Sequence, residues 1–255
     1  MHFIERHEQI LLLLQKEKMI KVTELSQSFA VTEKTIRQDL IMLEKQGLLK
    51  RIYGGAVLPK QTEMLPVDKR QASFIFEKKE AAQAAAARIE ENDTVFLDGG
   101  STMLELAKLL HGKKLTVVTN DLNIAHSLLG AEQIQLIVPG GAVIPASAAL
   151  YGPIAQEALK GIRVKKLFLG TTAADPVNGL TVFSHLQAAY KKSIMKLAEQ
   201  VILVTDHTKF GQTALFRYAS LEDADEIITD SGLSDSWRNK LEDHRLPMIY
   251  GSMGE

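Results

Sequence analysis

The stretch VTELSQSFAVTEKTIRQDLIMLEKQGLLKRIYGGAV, Val22–Val57, decides how this chain is read. Its early part, TELSQSFA, is expected to form a short helix with Thr23 as N-cap and with Leu25 and Phe29 turned inward. The turn Ala30-Val31-Thr32 is brief, and Thr32 suits the N-cap of a longer helix from Glu33 to about Gln46. In that helix Ile36, Leu40 and Leu43 recur at i, i+4 and i+7, whereas Lys34, Thr35, Arg37 and Gln38 occupy the other face. Two helices joined by a tight turn, the second with a polar and basic leading edge, have the form that major-groove insertion needs. Long donors near the helix N-terminus reach base edges there, while threonine and lysine hold phosphates.

Working outward, LLKRIYGGAVL alternates into a small β-ribbon in which Gly54 and Gly55 permit a tight turn. Lys50, Arg51 and Tyr53 place this ribbon as a wing able to touch the sugar-phosphate backbone or the minor groove. Upstream, helical periodicity from about Phe3 to Lys16 puts Ile4, Ile10, Leu11 and Leu14 on one face, and Lys21-Val22 is a short extended step. A plain helical bundle with solvated charges is the alternative. The ordered succession of helix, short helix, tight turn, polar helix and Gly-Gly ribbon favours a winged helix-turn-helix over residues 1–57.

With 255 residues the chain exceeds one usual domain, so a second is expected. There are no cysteines, which excludes disulfides, thiolate zinc sites and a cysteine nucleophile. No signal peptide and no apolar run of the ~20 residues a membrane span requires is visible, so a soluble, cytoplasmic protein with no membrane partner is expected. Residues 1–60 carry 10 Lys/Arg against 7 Asp/Glu and the remainder 20 against 24, so the head is mildly basic and the body mildly acidic. That contrast permits nucleic-acid contact at the head without proving it.

Residues 58–76 contain two prolines and no sustained period, as a linker would. Over 77–255 a strong helix, EKKEAAQAAAARIEE, precedes apolar strand candidates at 94–98, 115–120, 134–141, 165–170, 201–206 and 226–230. Helical stretches near 102–111, 121–129, 153–160, 185–199 and 235–243 alternate with them, which predicts an α/β domain with a largely parallel sheet covered on both faces. Five strands exit into polar or glycine signatures: Asp98-Gly99-Gly100-Ser101-Thr102, Thr119-Asn120-Asp121, Pro139-Gly140-Gly141, Gly170-Thr171-Thr172 and Asp206-His207-Thr208-Lys209. Carboxyl ends of parallel strands share one edge, where ligands bind. Ser101 and Thr102 open a helix and could hold a phosphate at its positive end, Gly99 and Gly100 would let it approach, and Lys191 and Lys209 are available counter-charges. Asp98, Asn120 and Asp206 could bind sugar hydroxyls. Such residues are also ordinary caps and turns after any strand. Neither G-x-G-x-x-G nor a P-loop nor G-x-S-x-G occurs, and the seven histidines show no metal-ligand spacing, so no cofactor or metal is expected.

Val22–Val57 closely resembles the N-terminal motif of DeoR-family bacterial transcription regulators, V-x-x-L followed by V-S-x-x-T-I-R-R-D-L-x-x-L-E-x-x-G-L-L-x-R-x-x-G-G-A. It departs at Gln38, where a second arginine is frequent, and at Tyr53, where many members have histidine; both bear on operator sequence, since glutamine pairs with adenine. The body resembles the family's sensor domain at D-x-G-S-T (Asp98–Thr102), V-T-N (Val118–Asn120), Gly140-Gly141, Leu150-Tyr151-Gly152, Lys191-Lys192 and D-x-x-K-F-G (Asp206–Gly211). The resemblance implies a sensor fold similar to ribose-5-phosphate isomerases and CoA transferases, and binding of phosphorylated sugars or polyols, with Gly140, Gly141 and Gly152 in the site. It implies a repressor of the matching catabolic operon, reading double-stranded operator DNA as a homodimer or homotetramer; the YGG wing and P-G-G loop look like the glucitol-operon subgroup. Gln187 replaces a glutamate common in the family, which bears on the choice of effector.

Two other classes compete with a regulator. One is a sugar-phosphate isomerase-like enzyme with an appended DNA-binding head, using Asp98, Asp206 and Lys209 as acid/base groups; no local acid/base pair stands at a recognisable spacing, and a non-enzyme is expected. The other is a protein-interaction adaptor.

Overall fold

The computed structural model describes residues 3–17, 19–45, 48–57, 67–242 and 247–251. Gln46, Gly47, residues 58–66 of the expected linker and the side chain of Ile4 lie outside what is described. The chain divides into two compact units, Met1–Gln61 and Thr62–Glu255.

The first unit runs α1 (Phe3–Glu17), β1 (Met19–Lys21), α2 (Val22–Ser28), α3 (Glu33–Lys45), β2 (Lys50–Ile52) and β3 (Gly55–Val57). The strands form an antiparallel sheet in the order β1-β3-β2. Ile10, Leu14, Leu25, Ile36, Leu40 and Leu43 are buried together with Ile20 and Ala56 of the sheet, so the apolar stripes of three helices close on the base of the ribbon. Phe29 is only half-buried.

Thr23 is not a cap. Helix α2 begins one residue earlier, at Val22, and its N-cap is Lys21, extended and without a side-chain cap bond. The wing supplies what a cap would: the Val22 N–H donates to Gly54 O at 2.9 Å, and Lys21 pairs with Gly55. The helix entrance is therefore fixed by strand pairing, and no hydroxyl is needed.

The second unit opens with α4 (Val67–Ala72) and α5 (Ile75–Ala86), then β4 (Thr94–Leu97), α6 (Ser101–Lys108), β5 (Leu115–Thr119), α7 (Leu122–Leu128) and β6 (Ile134–Ile137). It continues through β7 (Ala142–Ile144), β8 (Ala149–Tyr151), α8 (Pro153–Leu159), β9 (Val164–Leu169), β10 (Ala173–Asp175), β11 (Gly179–Val182), α9 (His185–Met195) and β12 (Ala198–Val204). Last come β13 (Phe216–Ala219), β14 (Glu226–Thr229), α10 (Asp235–Glu242) and β15 (Met248–Tyr250). Seven strands make one sheet in the order β15-β14-β12-β9-β4-β5-β6, every neighbouring pair parallel. Alternate residues go to opposite faces: Val95, Leu97, Val117, Phe168 and Ile202 pack under α5, α6 and α7, whereas Phe96, Val118, Leu167, Leu169 and Leu203 join a core with residues of α8 and α9. Burial on both faces explains why these strands read as continuous apolar runs.

From β4 the chain winds outward through β5 and β6 to one edge; from β9 it winds through β12 and β14 to the other. The order thus reverses between β4 and β9, and their carboxyl ends flank the crevice where open α/β sheets take ligands. Two small antiparallel sheets, β7-β8 and β10-β11-β13, complete this unit.

Candidate functional site

On the head, Thr32 caps α3 as the sequence implies: its Oγ1 accepts from the Thr35 N–H at 3.2 Å and lies 2.9 Å from Thr35 Oγ1. Lys34, Arg37 and Gln38 are exposed on one side of the helix, and Thr35 is half-buried. Arg37 donates to Glu33 Oε2 at 2.7 Å with its own side chain 64% exposed, so little holds it away from a ligand. Asp39, between these residues and the apolar stripe, is buried. Arg6 of α1 grips it from Nε at 2.6 Å and Nη2 at 3.1 Å, and His7 Nε2 lies 3.0 Å away. This ion pair joins α1 to α3 and fixes which side of α3 faces outward.

The wing has two kinds of residue. Tyr53 is fully exposed at the hairpin tip, beside Gly54 at φ +76°, and Lys50 is exposed on β2. Gly55 and Arg51 also serve the fold. A Cβ at Gly55 would lie 2.0 Å from Ile20 O. Arg51 donates from its main-chain N at 2.8 Å and from Nε at 2.7 Å to the Glu44 carboxylate, which binds the ribbon to α3 and holds that carboxyl below its ordinary range.

On the body, Asp98 directly follows β4 and Gly170 directly follows β9, so both stand at the switch point. Asp98 Oδ2 accepts from Gly170 N at 3.1 Å and from Lys191 Nζ of α9, which also donates to Gly170 O at 2.9 Å. Both charged side chains are buried. Around them stand Tyr151, Tyr190 and Tyr218; burial pushes their hydroxyls up, and the Asp98 charge pushes further. Tyr218 Oη donates to Gly170 O at 3.2 Å, and Gln187 and Ser147 hydrogen-bond with Tyr151.

Next to this pair, Gly99 and Gly100 lead into α6, with Ser101 buried and Thr102 half-buried in its first turn. Gly100 N donates to Asp121 Oδ2 at 3.1 Å. Asp121 also caps α7 through Asn123 N and Ile124 N, and burial pushes its carboxyl up to about 6. Thr119 Oγ1 accepts from Asp121 N, and Asn120 donates to Leu150 O at 3.1 Å. The amide oxygen of Asn120 is buried with no partner among the described residues. Gly141, at φ +120°, runs so close to β8 that a Cβ would meet Tyr151 O at 2.6 Å; Gly140 precedes it and Gly152 opens α8. The remaining candidates sit one strand beyond β9: Asp206 caps the turn His207–Lys209 after β12, bonding to Thr208, and Lys209 Nζ lies 3.8 Å from Asp206 Oδ2. The sheet therefore gathers Asp98, Lys191 and the 99–102 loop at its centre, with Gly140-Gly141 to one side and Asp206–Lys209 to the other.

Comparison with known proteins decides the lineage. Residues 6–62 match a family profile described as DeoR-like helix-turn-helix domain, and residues 74–231 match one described as DeoR C terminal sensor domain. The chain belongs to the DeoR family. As a DeoR-family member it is a DNA-binding transcription regulator with a sensor domain, and its relatives carry regulator names. It is 37% identical to an uncharacterized HTH-type transcriptional regulator, YulB, of Bacillus subtilis (strain 168), covering 95% of this chain and 94% of that one. It is 34% identical to a putative aga operon transcriptional repressor of Escherichia coli O157:H7 (90% and 87% covered), and 31% identical to the glycerol-3-phosphate regulon repressor of Escherichia coli strain K12 (96% and 97%). Among solved structures, ribose 5 phosphate isomerase A of Neisseria gonorrhoeae aligns with TM-score 0.39 and 15% identity over 58% of this chain and 56% of that one. The likeness spans little more than half of that enzyme and carries no functional weight.

Sequence reasoning about this DeoR-family chain passed over several members of the site. Asp121 stood in the Thr119-Asn120-Asp121 signature and was read only as part of a strand exit. Tyr190 and Tyr218 carried no local signal, because only the crossing of α9 and β13 over the sheet brings them to Asp98.

Proposed function

We propose that this protein is a repressor of a sugar or polyol catabolic operon, released from its operator when a phosphorylated sugar or polyol occupies the sensor domain. In this reading residues 1–57 bind DNA, 58–76 connect and 77–255 sense. Lys34, Thr35, Arg37 and Gln38 enter the major groove behind the Thr32 cap, while Lys50, Arg51, Tyr53 and the Gly54-Gly55 turn follow the backbone. A homodimer or homotetramer would supply the second half-site. The effector phosphate would lie on the Gly99–Thr102 loop at the positive end of α6, with Lys191 and Lys209 as counter-charges and Asp98, Asn120 and Asp206 toward sugar hydroxyls. Thr119, Gly140, Gly141 and Gly152 would shape its wall. The repressor names of the aga and glycerol-3-phosphate relatives support the sign and the effector class. No helix among the described residues is long and apolar enough to cross a membrane.

The observation that carries the reading is the exposed Lys34-Arg37-Gln38 face of a capped α3 whose opposite face, with Asp39, is locked into the head. A gel shift of the full chain on its own upstream region tests it, repeated with fructose 6-phosphate, ribose 5-phosphate, glycerol 3-phosphate and sorbitol 6-phosphate. Retardation that one of these compounds relieves is expected. Turnover of a sugar phosphate, lost in Asp206→Ala, would favour the isomerase-like enzyme instead.

A further inference from the structure

The second unit opens with a connecting segment, α4 and the residues after it, that ends in a junction packed against the Asp206–Lys209 turn. Phe74, the residue before α5, adopts left-handed backbone with φ +53° and ψ +44°, a conformation that a non-glycine side chain keeps only when its surroundings impose it. Its ring meets the His207 imidazole edge-on with centroids 6.3 Å apart, and His207 Nδ1 is held by Asp230 Oδ2 at 2.6 Å. One turn later stands Lys78, only 3% exposed. Its ammonium donates to two main-chain carbonyls of the connecting segment, Arg70 O at 2.6 Å and Ser73 O. At its other end that segment is α4, which packs on α6, the helix opened by the Gly99–Thr102 loop. The connector thus touches both parts of the proposed effector edge.

We propose that Lys78 is the positioning residue that couples effector binding to the DNA-binding head, by clamping the connector carbonyls of Arg70 and Ser73 beside the Asp206–Lys209 turn. This rests on the phosphorylated-effector reading given above. Burial pulls the Lys78 ammonium down to about 8, Asp206 pushes it back up and Lys209 lowers it, so it is charged at neutral pH and responds to charge on that turn. A phosphate neutralising Lys209 removes a repulsion and adds an attraction. The ammonium is then drawn toward the sheet edge, the two carbonyls lose their donor, and the connector is freed.

Full-length wild type and Lys78→Met are titrated by fluorescence anisotropy onto the upstream duplex, with and without each of the four phosphates named above, and binding of the active compound is followed by calorimetry. Lys78→Met is expected to bind compound within about threefold of wild type but to hold duplex only as weakly as compound-loaded wild type, and a compound that shifts wild-type duplex affinity ~5–150-fold shifts the variant less than about twofold. An unchanged shift in a folded Lys78→Met overturns the clamp. Should that variant not fold, hydrogen exchange of the wild type decides: amides of Arg70–Lys78 must change protection when the compound binds, and constant protection overturns the proposal. A wild type that binds none of the four compounds overturns the effector reading itself, and the clamp with it.

Discussion

Lys191 and Asp98, 93 residues apart in sequence, meet at the point where the strand order reverses, and the same ammonium reaches Gly170 O on the neighbouring strand. A single side chain from α9 therefore ties together the carboxyl ends of β4 and β9. A buried ion pair is costly to break from one side, because the remaining charge has no water to turn to. Lys191→Met is expected to destabilise the sensor unit by roughly 3–5 kcal/mol, and adding Asp98→Asn should restore part of that loss. Urea unfolding of both variants checks this; a double variant no more stable than Lys191→Met would contradict the pairing.

Arg37 is an exposed cation on the leading face of α3, and its bond to Glu33 is a surface pair of little energetic weight. Replacing it with alanine is expected to leave thermal stability within about 0.5 kcal/mol. Operator affinity should fall by about 1–3 kcal/mol, the usual worth of one base contact. Anisotropy titration together with a melting curve separates the two effects.

The two wing glycines differ in what they require. Gly54 needs a positive φ and has open space around its missing Cβ, so Gly54→Ala should cost about 1 kcal/mol. Gly55→Ala would drive a methyl group into Ile20 O, and the β1–β3 pairing must part. A larger loss, about 2 kcal/mol or more, is expected there, together with loss of operator binding. The unfolding transition of the head, followed by circular dichroism, ranks the two.

His207 gives the sensor unit a pH dependence. Burial pulls its pKa down, but the hydrogen bond and charge of Asp230, with Asp206 and Glu77 behind it, outweigh burial and raise it above the ordinary 6.5. The folded state therefore binds this proton more tightly than the unfolded chain. The stability gained is fully present below that ordinary value and is lost as pH rises through the folded one. His207→Gln should flatten the stability curve as pH rises above the ordinary histidine value of 6.5. A slope equal to wild type would place the titration elsewhere.

What the sequence disclosed follows from the range of the interactions involved. The α3 face was legible because a cap and an apolar period are local: Thr32, Ile36, Leu40 and Leu43 lie within four turns of one another. The parallel sheet was legible because two-sided burial leaves unbroken apolar runs such as Val201–Val204. The start of α2 was not, because its first N–H is satisfied by Gly54, thirty-two residues away in the chain, and not by Thr23. Asp98 and Lys191 were each recognisable as site residues, yet their pairing depends on strand order, which no local pattern encodes. The three-residue strands of β7, β8 and β10 are too short to show a period. Helix α4 lies where two prolines and a patternless stretch argued for open linker, and it is supported by packing on α6.

The most direct test of the account is the affinity of the full chain for its upstream duplex against a scrambled duplex of equal length and composition, measured at one salt concentration for wild type and Arg37→Ala. A wild-type preference of at least about 10³-fold is expected, reduced about 5–150-fold by Arg37→Ala. Equal affinity for both duplexes, or a preference that survives Arg37→Ala intact, would show that α3 does not read DNA.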